Sequence, residues 1–109
     1  MGFDLKARRP KKKSQAWFGC SMFWWGPLWE FVVRETGHLL PDEVAFHGYL
    51  NDGAYVKAAW AREIADRLDE ALAEGRAKKR ARKRPPRFDE ETVQSFRDFC
   101  RGSGGFWIW

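Results

Sequence analysis

Two imidazoles, His38 and His47, and two thiols, Cys20 and Cys100, are the only His and Cys side chains in this 109-residue chain. A nucleophilic pair needs a Cys within hydrogen-bond reach of a His, and nothing in the spacing 20, 38, 47, 100 suggests one. Structural zinc usually shows ligand pairs two to four residues apart, so no metal site is expected either. Cys100 lies on the apolar stripe of a C-terminal helix and reads as a buried, inert thiol. The carboxylates Asp66, Asp69, Glu70 and Glu74 read as a solvated helix face. The chain is expected to bind rather than catalyse, with no cofactor.

The binding chemistry on offer is aromatic and cationic. Seven Trp and nine Phe bring the aromatic share to 17%. The cluster Trp17, Phe18, Phe23, Trp24, Trp25, Trp29 follows directly on Lys11, Lys12 and Lys13. Stacking rings beside cations suit a nucleotide, free or within a strand. The expected ligand is a small nucleotide-like anion. Trp24, Trp25 and Trp109 would stack on its base. Backbone N–H groups near Gly26, Asn51, Gly53 and Gly104, with Lys57 or Arg101, would hold its phosphate. The alternative is a nucleic-acid-binding accessory protein using Lys11, Lys12, Lys13, Lys78, Lys79, Arg80, Arg82, Lys83 and Arg84 on phosphates. A third reading is an inhibitor that docks on a host protein through an exposed aromatic patch.

Net charge is +5, but it is segregated. Residues 1–27 carry +5, residues 28–74 carry −6, residues 75–88 carry +8, and the remainder −2. An acidic body with two basic segments points to an anionic partner. The stretch Ala16–Trp29, inside an uncharged run that begins at Ser14, is too short and too broken by glycine and proline to span a bilayer. Met1–Leu5 lacks the order of a secretion signal. The expected setting is cytoplasmic, with reduced thiols and no membrane.

These groups need elements to hold them. Phe3 and Leu5 alternate with Asp4 and Lys6, which predicts a short strand over residues 2–7. A basic loop follows, then a second strand over residues 15–20 in a hairpin. Pro27 fits the first position of a helix and Gly37 its end, with Leu28, Phe31, Val32 and Glu35 on one face. Residues 38–50 read as irregular or as holding a short extended piece, and Asn51-Asp52-Gly53 as a turn. Val56, Trp60, Ile64, Leu68 and Leu72 predict a long helix from Gly53 to at least Glu74. Residues 75–87 read as a basic loop. Phe88, Asp89 and Val93 form a staple and cap for a last helix, whose stripe is Val93, Phe96, Phe99 and Cys100. Glycines 102–105 end it, and Phe106–Trp109 reads as a strand. The fold class is therefore α+β, one domain over 1–109. A small antiparallel sheet pairs the terminal strands against three helices. The apolar C-terminal strand keeps one face to spare, which predicts a homodimer.

Met1-Gly2-Phe3-Asp4, Trp24-Trp25-Gly26-Pro27-Leu28-Trp29, Asn51-Asp52-Gly53, and Phe99-Cys100 with Ser103-Gly104-Gly105-Phe106 together resemble a group of small phage and prophage proteins. The matches run in order along the chain, each of them short. Members of that group often carry arginine where Gly26 stands, and many carry a Cys-rich, zinc-ribbon-like insertion before the last helix. This chain has Arg76–Arg87 there, so no zinc role carries over. The resemblance implies a phage setting, in which sequestering a host-defence signalling nucleotide would be one use for such a binder.

Overall fold

The computed structural model describes residues 2–83 and 87–109. The chain runs β1 (Gly2–Ala7), β2 (Trp17–Ser21), α1 (Met22–Thr36), α2 (Asp42–His47), β3 (Ala54–Lys57), α3 (Ala58–Ala73), α4 (Arg76–Lys83), α5 (Glu90–Ser103) and β4 (Gly105–Ile108), with one 3₁₀ turn at Lys13–Gln15. The strands form one antiparallel sheet in the order β2-β1-β4-β3. The terminal strands pair with each other, as expected from the sequence, and are its two central members.

One face of the sheet carries Phe3, Leu5, Phe106, Ile108 and Val56, all buried against the helices. Trp25, Trp29, Phe96 and Phe106 are among the largest side chains fully removed from water. Each such ring removes about 150–250 Å² from water. Trp25 stacks between Phe3 and Trp29, with ring centroids 5.5 and 5.4 Å away. Asp89 caps α5 by accepting from the Thr92 amide at 2.8 Å, and Phe88 and Val93 are buried on either side. Gly104 ends α5 in the left-handed region at φ 67°, where a Cβ would be penalised.

Four elements differ from the sequence reading. Helix α1 begins at Met22, so Pro27 lies inside it rather than at its first position. Its missing N–H leaves the Phe23 carbonyl without an i+4 donor, which is tolerable near the exposed start of the helix. Residues 42–47 are helical rather than irregular. The indole N–H groups of Trp25 and Trp29 donate to the Gly48 and Ala45 carbonyls at 2.7 and 2.8 Å, pinning the end of α2. Residues 54–57 are a strand, not the start of the long helix, because Val56 pairs with Phe106 and fills the core.

The predicted basic loop is largely helix α4. Ala77 is buried and Ala81 half-buried one turn later. Arg76 meets Glu35 and Glu74, and Arg80 meets Glu30. Counter-charges from α1 relieve the repulsion that the local sequence implies. Arg84 and the Pro85-Pro86 stop lie outside the described residues.

Candidate functional site

Strand alternation sends every second side chain to the face of the sheet away from the core. On that outer face Asp4, Lys6, Trp17, Gly19, Ser21 and Lys57 are exposed, and Tyr55 and Trp107 are half-buried. The register aligns them. Trp17 on β2 faces Lys6 on β1, Lys6 faces Trp107 on β4, and Trp107 faces Tyr55 on β3. One row of three aromatic rings and a lysine thus crosses all four strands. Three strand spacings of about 4.8 Å make it roughly 14 Å wide.

The rings are held in place. The Tyr55 and Trp107 centroids lie 5.1 Å apart, and the Tyr55 hydroxyl accepts from Arg8 Nη1 at 3.2 Å. Trp17 is 57% exposed, yet its indole N–H donates to Asp4 Oδ1 at 3.0 Å. Its ring lies along β2 over Gly19, where any Cβ would come within 2.2 Å of it. Glycine is what lets the indole lie flat there.

Charge is graded across this face. Beyond the aromatic row on one side, Arg8 bonds through its amide to Gly105, and Gly105 faces Lys57. Arg9, Lys11, Lys12 and Lys13 continue that basic end around the hairpin. All four are exposed, and none forms an ion pair among the described residues. On the other side Asp4 pairs backbone to backbone with Trp109, 3.0 Å each way. Trp109 lies against Gly53 and is 47% exposed.

The residues expected to form one pocket do not converge. Trp25 is 0% exposed and its indole N–H is taken by Gly48, so it belongs to the core and has no free face for a base. Gly26 and Asn51 line an apolar cleft of about 230 Å³ with Met22, Tyr49 and Leu50, floored by Phe3 and Trp25. Trp24 lies in a separate groove between β2 and α5. Lys57, Gly53 and Trp109 border the outer face, and Lys57 Nζ sits 4.6 Å over the Trp60 ring. Gly104 packs against Arg9. Arg101 is paired with Asp66 and Asp69 of α3, so its charge is already compensated.

The two basic segments also separate. Lys11–Lys13 lie on the hairpin beyond the Lys6 and Trp17 end of the row, where Lys11 bonds through its amide to Gly102 and Lys12 lines a hollow with Ser95 and Asp98 of α5. Lys78, Lys79, Arg82 and Lys83 are exposed on α4, which packs among the helices, while Arg80 is engaged by Glu30. The row residues Lys6, Tyr55 and Trp107, and the flanking Arg8, escaped the sequence reading. The signal for them is a ring on the polar phase of an alternating strand.

The thiolate form of both cysteines is disfavoured. Burial pushes the Cys20 thiol up to about 11 and the fully buried Cys100 thiol well above its ordinary value. His47 Nδ1 lies 2.9 Å from Asp52, closing the turn after α2. Among the described residues no three His, Cys, Asp or Glu gather as a metal site, and no helix is long and apolar enough to cross a membrane. Comparison of the chain with protein-family models, with curated proteins and with solved structures finds no match, so the geometry of the outer face carries the functional argument alone.

Proposed function

We propose that the chain is a non-catalytic binding module whose outer sheet face takes single-stranded nucleic acid. The observation that carries this reading is the in-register row Trp17, Lys6, Trp107, Tyr55 with Arg8 bonded to Tyr55, and the uncompensated cations of the hairpin lie at the same end of the sheet. A flat platform of rings offers successive unpaired bases a stacking surface, worth about 1–3 kcal/mol per base. The neighbouring cations neutralise the phosphates between them. A duplex hides its base faces, so it gains only the phosphate contacts.

A strand fits better than the small free anion suggested by sequence. Small-ligand sites are concave and enclose most of their ligand, whereas this row is open and crosses all four strands. A mononucleotide uses the same rings with fewer contacts and therefore binds more weakly. In a phage setting, such a module would cover exposed strands.

Anisotropy titration of a labelled oligothymidylate tests the reading. Binding should be tighter for the single strand than for the duplex, weaken with salt, and drop on Trp17→Ala. Equal affinity for single strand and duplex, unchanged by Trp17→Ala, would sink it.

A further inference from the structure

Strand β2 is an edge of the sheet, and its free side has a definite pattern. In an antiparallel pair, alternate residues turn their backbone groups toward the partner strand. The Ala7 amide donates to Ala16, so by alternation the pairs Leu5 with Phe18 and Phe3 with Cys20 are the hydrogen-bonded ones. Trp17 and Gly19 therefore aim their N–H and C=O groups outward, and Ser21 its N–H, while the Ser21 carbonyl, at the N-cap of α1, accepts the first bond of that helix. Natural edges are usually blunted by charge, proline or a bulge, and Trp17–Ser21 contains none of these. The opposite edge, β3, is only four residues, ends in Lys57 and touches α2.

We propose that β2 pairs antiparallel with β2 of a second copy about a two-fold axis at Gly19, joining two sheets into one of eight strands. This register sets Gly19 opposite Gly19 and Trp17 opposite Ser21 of the second copy. Gly19 exchanges both its bonds with Gly19 of the second copy and each Ser21 N–H donates to the Trp17 carbonyl opposite, four hydrogen bonds in all. The pairing is self-complementary, as a two-fold interface must be. With no charge on the strand, no like charges meet across it.

The surroundings fit the same occupant. A groove of about 370 Å³ runs between β2 and α5, lined by Trp24, Thr92 and Ser95. Phe18 and Cys20 form its wall on the β2 side, so the two-fold sets the grooves of the two copies side by side along the seam. Glu91 borders the groove beside Ser21, whereas Lys12 borders the adjoining hollow near Gln15. The two-fold thus brings the basic end of each copy toward the acidic end of the other. On the outer face, bonded Cα atoms about 5.5 Å apart bring the two Trp17 indoles, each lying over its own Gly19, within aromatic contact of about 4.5–7 Å. The aromatic row then continues without a break into the second copy. The pairing stands on the edge geometry alone, and only the doubled platform rests on the nucleic-acid reading.

Sedimentation velocity of the nucleic-acid-free protein across the micromolar range tests it, with Ser21→Pro as the disrupting variant. Ser21 has φ −66°, its side chain caps nothing, and its amide points outward, so proline fits the monomer and removes one seam donor. The expected result is a species of twice 12.8 kDa for the natural chain. Ser21→Pro should sediment as a monomer with an unchanged circular dichroism spectrum. A natural chain that stays monomeric, or a Ser21→Pro dimer, would overturn the proposal. Should that variant not fold, amide exchange in the natural chain decides. Protection of the Gly19 and Ser21 amides that grows with concentration supports the seam, and exchange at the rate of an unpaired edge refutes it. Failure of oligonucleotide binding leaves these readouts untouched.

Discussion

The two faces of one sheet use the same residue type for opposite ends. Trp25 and Trp29 lie under the inner face, fully buried, their rings stacked and their N–H groups bonded to backbone carbonyls. Trp17 and Trp109 lie on or beside the outer face and are about half exposed, the first bonded only to the surface carboxylate of Asp4. Burial of an indole stabilises the fold. An indole held flat in water contributes little to stability and is free to stack on a ligand. The difference teaches that exposure together with strand register, rather than aromatic content, marks the candidate site.

The largest effect that could break this contrast comes from the inner face. Trp25→Ala removes a fully packed ring and orphans the Gly48 carbonyl, at an expected cost of about 3–5 kcal/mol. Against a total stability of about 5–15 kcal/mol, thermal unfolding should show a melting point far below that of the natural chain. A Trp25→Ala protein as stable as the natural one would mean that the inner stack is not the core.

Outer-face truncation should act on binding instead. Trp17→Ala and Trp107→Ala should each weaken oligonucleotide binding by about 5- to 150-fold, the equivalent of about 1–3 kcal/mol of stacking. Their melting points should stay near the natural value. Loss of binding without loss of stability is the signature that separates the two faces.

A smaller effect distinguishes the two basic segments. Replacing Lys11, Lys12 and Lys13 by Gln should flatten the plot of log affinity against log salt by about 2, taking about 0.7 per single-strand phosphate contact. The same replacement at Lys78, Lys79, Arg82 and Lys83 should leave the slope nearly unchanged, because α4 sits among the helices and away from the row. A reversed ranking would move the phosphate path to α4.

The smallest effect is a pH dependence. Burial holds the Cys20 thiol neutral up to about 11 against an ordinary value of 9.0. The unfolded chain ionises first as pH rises, so the stabilising contribution is complete below pH 9 and fades between 9 and 11. Cys20→Ser should therefore show a shallower stability loss than the natural chain over that window in denaturant titrations.

Legibility in the sequence followed how local each signal was. Strand β1 and helix α5 were readable because alternation, cap and stripe all lie within a few residues of each other, and β4 because it follows directly on the glycine stop of α5. The stripe of α1 was readable too, but it extends back past Pro27: Trp25, Leu28, Trp29 and Val32 follow helical spacing and are all buried. Reading Pro27 as a start cut Trp25 from its stripe and offered it to a ligand. Strand β3 was hidden because Val56 also satisfies the four-residue spacing of α3, and only its partner Phe106, fifty residues on, decides the matter. Helix α4 depends on Glu30 and Glu35, which no local window contains. Of the candidate site, Trp17 and the hairpin lysines were visible as rings beside cations. The row itself was not, because it exists only once four strands are placed in register.

The most direct test of the outer-face account is a two-dimensional amide and indole NMR titration with an oligothymidylate. The account predicts the largest shifts at Lys6, Arg8, Tyr55, Trp107 and the Trp17 indole N–H, with α4 silent. Shifts confined to α4 or to the Gly26–Asn51 cleft, with the row unmoved, would contradict it.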